Sequence, residues 1–193
     1  MIYFTSDLHF NHKNIIPYCN RPFNSVEEMN EALIANWNNT VTENDIVYVL
    51  GDFILGPADQ TETFVKRLNG HIVLVRGNHD SKAKLAIYDS LGIVVRDIAY
   101  LEYKGRFFIM CHFPIASEEF IKMVRESNSE VICLYGHVHN EAPRGYVNGT
   151  YHIGTDTNDF TPVSLEKIWQ ESRPVEIMTP EIEAYKEAHK NEV

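Results

Sequence analysis

Cysteine is scarce in this 193-residue chain, and its spacing carries no metal or disulfide signature. The cysteines are Cys19, Cys111 and Cys133, an odd number with no CxxC pair among them. This pattern argues against both a disulfide framework and a thiolate zinc site. We therefore expect the three thiols to behave as small buried hydrophobic groups.

Long apolar runs are also missing, because charge or glycine soon interrupts every hydrophobic stretch. A membrane-spanning helix requires roughly 20 apolar residues, so we expect no membrane segment. Residues 1–7 have neither a basic flank nor a long apolar core, and they are typical of a buried strand rather than a signal peptide. Together these absences predict a cytoplasmic, soluble protein.

Basic residues are outnumbered, with 17 Lys and Arg against 27 Asp and Glu and a formal charge of -10. An acidic balance opposes adhesion to nucleic acid or to anionic membranes, so neither is an expected partner. Cations bound at one site still attract phosphate. A small phosphorylated substrate therefore remains compatible with the composition.

The hydrophobic pattern alternates between strand-like and helix-like segments, which predicts an α/β architecture. Two turn dipeptides, Lys104-Gly105 and Asn148-Gly149, predict β-hairpins. The predicted strands are Ile2–Thr5, Asp45–Leu50, His71–Arg76, Gly92–Val95, Ala99–Tyr103, Arg106–Cys111, Val131–Tyr135 and Tyr151–Ile153. One predicted helix follows the capping sequence at Ser25. Four others cover Asp59–Leu68, Ser81–Leu91, Glu118–Arg125 and Ser164–Gln170.

The chain length and the absence of repeats predict one domain over residues 1–172, followed by an extension over residues 173–193. Thr179-Pro180-Glu181 is typical of a helix start, and Ile182 and Tyr185 begin a weak apolar stripe. We expect this extension to be helical. It either packs on the domain, frays, or forms a homodimer contact.

Polar side chains recur directly after apolar strands. Any single Asp or His in such a place is more often structural than a ligand. Five strand ends that each present oxygen or nitrogen donors, without a thiolate, instead predict a metal site. The residues are Asp7 and His9, then Asp52, then Asn78, His79 and Asp80, then His112, and finally His137 and His139. Gly51, Gly77 and Gly136 precede three of these groups, where the backbone must turn sharply.

The ordered motifs Asp-Leu-His, Gly-Asp, Gly-Asn-His-Asp, His and Gly-His-Val-His, between Asp7 and His139, resemble the calcineurin-like metallophosphoesterase superfamily. The resemblance implies two mixed β-sheets packed as a sandwich and flanked by helices, an α/β (α+β) fold. It also implies two metal ions bridged by Asp52, with a shared hydroxide that attacks phosphorus. One ion is assigned to Asp7, His9, Asp52 and His139, and the other to Asp52, Asn78, His112 and His137.

The resemblance gives His79 a separate role as the donor of a proton to the leaving oxygen, together with Asp52 in the catalytic set. Many relatives carry a second Asp three residues after the bridging Asp, where this chain has Leu55. The usual His-Asp pair is therefore missing, which leaves open what orients His79. The same departure disfavours a phosphoprotein phosphatase.

Substrate contacts are predicted beyond the first motif, where His12 and Arg21 either meet phosphate oxygens or belong to a solvated loop. Tyr18 and Phe53 either stack on a nucleobase or lie in the core. We expect hydrolysis of a phosphomonoester or phosphodiester, of a nucleotide or small metabolite. A nuclease and a catalytically silent metal-binding scaffold are the alternatives. Mn(II) is the first choice of metal, with Fe, Zn, Co or Ni as others.

Overall fold

The computed structural model describes residues 1–114, 122 and 131–172, and it contains two five-stranded mixed sheets. In the first sheet the order is β10–β1–β2–β3–β4, with β1 to β4 parallel and β10 antiparallel at the edge. Its strands are β1 (Ile2–Thr5), β2 (Ile46–Val49), β3 (His71–Val75), β4 (Val94–Arg96) and β10 (Val163–Ser164). The parallel core is what the alternation of strands and helices predicts.

The second sheet has the order β5–β6–β7–β9–β8, with parallel pairs in its centre and a hairpin at each edge. Its strands are β5 (Ala99–Tyr103), β6 (Arg106–Met110), β7 (Val131–Tyr135), β8 (Tyr146–Val147) and β9 (Thr150–His152). Both central residues of each hairpin turn have positive φ, with Lys104 at 49° and Gly105 at 79° in the first. This is the type I′ geometry, so both predicted hairpins are confirmed.

The helices of the described residues are mostly short. They are α1 (Ile15–Tyr18), α2 (Val26–Thr40), α3 (Thr61–Val65), α4 (Lys82–Ser90) and α5 (Leu165–Glu171). At the start of α2 the Ser25 hydroxyl accepts the backbone N–H of Glu28, as the capping sequence predicts. The Glu28 carboxylate instead accepts the backbone N–H of Asn24, so the reciprocal half of the capping box is shifted by one residue.

The core has two layers, because successive side chains of a strand face opposite sides of its sheet. Tyr3 of β1 lies in the layer between the first sheet and the helices, where Met29 and Trp37 of α2 pack. Phe4 lies in the other layer, which joins the first sheet to Phe108 and other residues of the second. The predicted sandwich of two mixed sheets flanked by helices is thus confirmed.

Some predicted boundaries differ from the observed ones. The helix predicted over Asp59–Leu68 is a 3-10 turn at Ala58–Gln60 followed by α3, and strand β10 was not predicted at all. The predicted helix at Glu118–Arg125 and the extension at 173–193 lie outside the described residues. Within the part of the chain that is described, no helix is both long enough and apolar enough to cross a membrane.

Candidate metal centre

The predicted ligand loops meet because the strands before them run parallel within each sheet. The loops after β1, β2 and β3 leave one edge of the first sheet, and those after β6 and β7 leave one edge of the second. An isolated bridge between Ser6 and Gly154 joins these edges, and Thr155 donates its backbone N–H to the Ser6 carbonyl at 3.0 Å. The five strand ends therefore converge on one place.

Asp52 occupies the middle of this convergence. Its Oδ2 atom lies 3.6 Å from His9 Nε2 and also 3.6 Å from His112 Nε2. All three side chains are almost fully buried. A single carboxylate oxygen this close to two imidazole nitrogens suits a bridging ligand of two cations.

Asp7 and His9 present unsatisfied donor atoms to the same centre. Asp7 Oδ2 accepts hydrogen bonds from the Ser6 hydroxyl and from the backbone N–H of His137. Asp7 Oδ1 and His9 Nε2 are buried and have no hydrogen-bond partner among the described residues. Buried polar atoms are almost always paired, so two neighbouring unpaired atoms that can each serve as a metal ligand fit a cation at this place.

His112 is oriented by the backbone of the preceding loop. Its Nδ1 donates to the Leu50 carbonyl at 2.7 Å, because a carbonyl only accepts, and Nε2 is left without that proton in the neutral ring. Nε2 lies 2.9 Å from Asn78 Oδ1 and 3.2 Å from His137 Nδ1. These three groups therefore assemble next to Asp52, and the resemblance implies that they hold one of the two ions with it.

His139 lies near Asp7 and His9. One ligand atom from each of these three residues falls within 4.8 Å of the others. Asp7, Asp52 and His112 form a second group by the same measure. The described residues thus contain two overlapping groups at this centre, with Asp7 in both, and Cys19, His139 and Asp156 form a third group by the same measure.

The backbone is strained at the same residues. Five of the seven predicted ligands have φ between 48° and 72°, a left-handed region that residues other than glycine seldom adopt. They are Asp7, His9, Asp52, His137 and His139. Each such residue costs on the order of 1–3 kcal/mol, and this strain collects at functional sites.

The electrostatics favour a bound cation. Burial raises the pKa of Asp7 to about 6, and burial lowers the pKa of His9. At neutral pH these groups therefore present an unneutralised carboxylate and an unprotonated imidazole. Burial opposes charge on His139, but hydrogen bonds to Asp156 and Cys19 outweigh it and raise the pKa of His139 to about 10. A metal bound by this ring would displace a proton.

His79 stands at the mouth of a cavity of about 590 Å³ beside the centre. Its side chain is 49% exposed, and its Nε2 lies 3.9 Å from Asp52 Oδ2. The backbone N–H of His79 donates to Asp52 Oδ1 at 2.8 Å. Leu55 lines the same cavity, so the residue three positions after Asp52 presents an apolar side chain there.

The two predicted substrate contacts lie in different surroundings. His12 lines the cavity, with its Nδ1 3.3 Å from His9 Nδ1. Arg21 is buried beneath the centre and is hydrogen-bonded to Asp156 and to backbone carbonyls. This placement favours a positioning role for Arg21 over the predicted contact with substrate. Tyr18 is 71% exposed at the cavity, whereas Phe53 is buried in the core.

Two further carboxylates support the site, and the sequence pointed to only one of them. Asp156 accepts a hydrogen bond from His139, and it follows no long apolar strand in the sequence. Asp80 accepts backbone N–H groups from both the Asp52 loop and the Gly77 loop. Sequence reasoning named Asp80 but gave it no partners, and it did not name Asp156.

The donor set fits divalent metal ions. It consists of carboxylate, amide and imidazole groups, with orphaned buried atoms at its centre. A two-sheet sandwich that gathers these donors at its strand ends is consistent with the metallophosphoesterase fold. The chain belongs to the calcineurin-like phosphoesterase family, whose model matches residues 1–192.

The chain is also similar to three further proteins. The uncharacterised protein MJ1445 of Methanocaldococcus jannaschii is 39% identical over 176 residues, which cover 86% of this chain and 88% of that protein. The Gene 66 protein of Mycobacterium phage L5 is 33% identical over 81 residues, covering 40% of this chain and 39% of that one. Among solved structures, AQ665 from Aquifex aeolicus, a protein of unknown function, superposes with a TM-score of 0.71 at 23% identity. The superposition covers 88% of this chain and 98% of AQ665 and bears on the fold alone.

Proposed function

We propose that this protein hydrolyses small phosphodiesters with the help of two divalent cations. The observation that carries the proposal is the position of Asp52 Oδ2, at 3.6 Å from both His9 Nε2 and His112 Nε2. A carboxylate in this place serves two ions at once. The buried orphaned atoms of Asp7 and His9 support the same conclusion.

The proposed ligands divide into two groups that share Asp52. One ion would be held by Asp7, His9, Asp52 and His139, and the other by Asp52, Asn78, His112 and His137. We propose Mn(II) first, because the mixed oxygen and nitrogen donors suit it, with Fe, Zn, Co and Ni as alternatives. When bound, two such ions supply an acidified water and positive charge for the phosphoryl oxygens.

The remaining chemistry falls to side chains of the cavity. His79 is proposed to donate a proton to the leaving oxygen, since it is half exposed and its ring borders Asp52. His12 is proposed to hold a phosphoryl oxygen through a ring N–H, because it lines the same cavity beside His9. Neither role requires a covalent intermediate on the protein.

Two cavities flank the centre and favour a diester over a monoester. His137 is among the residues that line the first, of about 590 Å³, and Asn78 is among those that line the second, of about 440 Å³. His137 Nδ1 and Asn78 Oδ1 are 3.1 Å apart, so the two cavities adjoin. A phosphorus atom at this junction has room for one substituent on each side. Tyr18 in the first cavity and Phe113 in the second offer exposed aromatic faces.

The test compares hydrolysis of bis-p-nitrophenyl phosphate and p-nitrophenyl phosphate by metal-stripped protein titrated with Mn(II). We expect metal-dependent release from the diester in preference to the monoester. Asp52→Asn should abolish it, whereas Asp89→Asn, at an exposed position of α4, should not.

The other outcomes separate the alternatives. A preference for the monoester would overturn the diester assignment and leave the metal centre standing. Two bound ions without hydrolysis of either ester would indicate the silent scaffold. Faster cleavage of DNA or RNA than of the small diester would indicate a nuclease, which the net charge of -10 disfavours.

A further inference from the structure

Arg21 is a fully buried cation whose guanidinium makes four hydrogen bonds to oxygen. Two are bidentate to Asp156, from Nε to Oδ1 at 2.7 Å and from Nη2 to Oδ2 at 3.0 Å. The other two reach the backbone carbonyls of Leu8 at 2.9 Å and Asp7 at 2.7 Å. Arg21 therefore fixes the backbone on which Asp7 and His9 are carried.

Asp156 links this arginine to another predicted ligand. Its Oδ2 atom also faces His139 Nδ1 at 2.8 Å, and its side chain is 2% exposed. Asp156 lies in the 3-10 turn Thr155–Thr157, which is anchored to the end of β1 by the bond from Thr155 to Ser6. The carboxylate is thus held rigidly on two sides.

We infer that the Arg21–Asp156 pair is a positioning device for one metal site. The inference rests on the proposed function for the site itself. A carboxylate accepts hydrogen bonds only, so His139 must keep its proton on Nδ1 and present Nε2 as the ligand atom. Through its two backbone contacts Arg21 sets Asp7 and His9 against that ring. The pair thereby aligns three ligands of one ion and none of the ligands exclusive to the other.

The prediction is therefore selective. Metal-site partners of this kind typically change affinity by 10–100-fold when altered. Asp156→Asn should weaken one of two Mn(II) sites by that factor and leave the other near its original affinity. Arg21→Lys, which keeps the charge but loses the bidentate geometry, should have a smaller effect of the same kind.

The experiment counts bound Mn(II) and measures each dissociation constant by calorimetry, so its readout does not depend on hydrolysis. Asp159→Asn is the matched control, because Asp159 follows closely in the chain but is exposed and pairs with Arg144 at the surface. Melting of each metal-free variant reports whether it folds. Should Asp156→Asn fail to fold, Arg21→Lys carries the test.

A double-variant comparison separates positioning from general structural support. In a His139→Ala background, Asp156→Asn should cost less Mn(II) affinity than it does in the original protein, because the ring that Asp156 orients is gone and only the Arg21 contacts remain to be disturbed. Equal weakening of both sites, or undiminished affinity at both in a folded variant, would overturn the inference. Binding of two ions without hydrolysis would contradict the proposed function and leave the positioning inference intact.

Cys19 provides one more discriminating variant. Its sulfur can approach His139 and Asp156 within 4.8 Å, so these three residues could in principle hold an ion of their own. The positioning inference expects Cys19→Ser still to bind two Mn(II) ions, because a serine hydroxyl can replace the hydrogen bond between Cys19 and His139. Loss of an ion in Cys19→Ser would indicate that Cys19, His139 and Asp156 hold an ion of their own and would refute the inference.

Discussion

The carboxylate of Asp80 accepts the backbone N–H of Asp52 at 3.0 Å. It also accepts the N–H of Gly77 at 2.8 Å and, at 3.4 Å, that of Phe53. Asp80 is buried, and burial raises the pKa of its carboxyl group. One side chain thus ties together the two loops that carry Asp52 and Asn78.

Replacing Asp80 should damage both the fold and the metal site. Asp80→Ala leaves buried N–H groups unpaired, at a cost of about 2–4 kcal/mol in the free energy of unfolding. Denaturant titration measures this loss, and Mn(II) titration should show weaker binding. Asp89→Ala, at an exposed position, should change the free energy by less than about 0.5 kcal/mol. A similar cost for both variants would contradict the role assigned to Asp80.

Gly51 should tolerate no side chain. Its φ is +82°, and an added Cβ would lie 2.5 Å from Gly77 Cα and 2.6 Å from His112 Nδ1. Gly92 provides the control, since its φ is +76° but a Cβ there meets nothing within 4 Å. Gly92→Ala should cost about 1–2 kcal/mol from backbone strain alone.

Gly51→Ala should cost on the order of 2 kcal/mol more than Gly92→Ala, because overpacking adds to the same strain. It should also reduce Mn(II) affinity, because His112 must move. Denaturant titration measures the free energy of unfolding of both variants. Equal values would show that the loop around Gly51 accommodates a Cβ without destabilising the fold.

Much of the site was predictable because it follows one rule of sheet geometry. Residues after neighbouring parallel strands meet at one edge, and the strands before Asp7, Asp52 and Asn78 are clear in the hydrophobic pattern. The local turn chemistry was equally readable, since Asn148-Gly149 alone fixes a type I′ hairpin. These features depend on residues close together in the sequence.

The parts that escaped prediction depend on distant contacts. Arg21 and Asp156 are 135 positions apart, and nothing local distinguishes this arginine from one on a solvated loop. Strand β10 has only two residues, so no periodicity was available to reveal it. Phe53 could equally have faced a ligand, and only packing against Phe10, Trp37 and Tyr88 shows that it is core.

His79 should matter most where the leaving group is a poor one. His79→Ala should slow hydrolysis of diphenyl phosphate by about 10²-fold or more, because phenolate requires a proton donor. The loss should be much smaller for bis-p-nitrophenyl phosphate, whose leaving group departs readily without one. His71→Ala, at the exposed start of β3, should leave the ratio of the two rates unchanged. Equal losses on both esters would assign His79 to orientation rather than acid catalysis.

Protonation of Glu166 should account for part of the stability that the protein loses at acidic pH. Its carboxylate accepts hydrogen bonds from Lys104, Tyr103 and Gln170, which lower its pKa from 4.5 to about 2. Because the folded-state pKa is depressed, this stabilisation is present above pH 4.5 and is lost as pH falls through about 2. Glu166→Gln should therefore be less stable than the original at neutral pH and equal to it near pH 2. Denaturant midpoints measured from neutral pH to about pH 2 test whether the stabilities of the two proteins become equal. Added salt should reduce their difference in stability at neutral pH, because the Lys104–Glu166 ion pair is exposed.

Asp7 should destabilise the metal-free protein, because a buried carboxylate without a cation is costly. Its pKa is raised to about 6, so its favourable contribution is present below the ordinary value of 3.8 and is lost as pH rises through about 6. At pH 7.5 without metal, Asp7→Asn should therefore be more stable than the original protein, with a free energy of unfolding higher by on the order of 2 kcal/mol. The asparagine oxygen can still accept from Ser6 and His137.

With Mn(II) the order should reverse, because ligand binding to the folded state stabilises only a protein that retains the site. The original protein should gain thermal stability on titration, and Asp7→Asn should gain little. Asp89→Asn should follow the original protein with and without Mn(II), since that position is exposed. If Asp7→Asn melts at a lower temperature than the original protein when both are metal-free, the Asp7 carboxylate stabilises the fold without a cation. The unpaired Oδ1 atom would then not be evidence for a metal site.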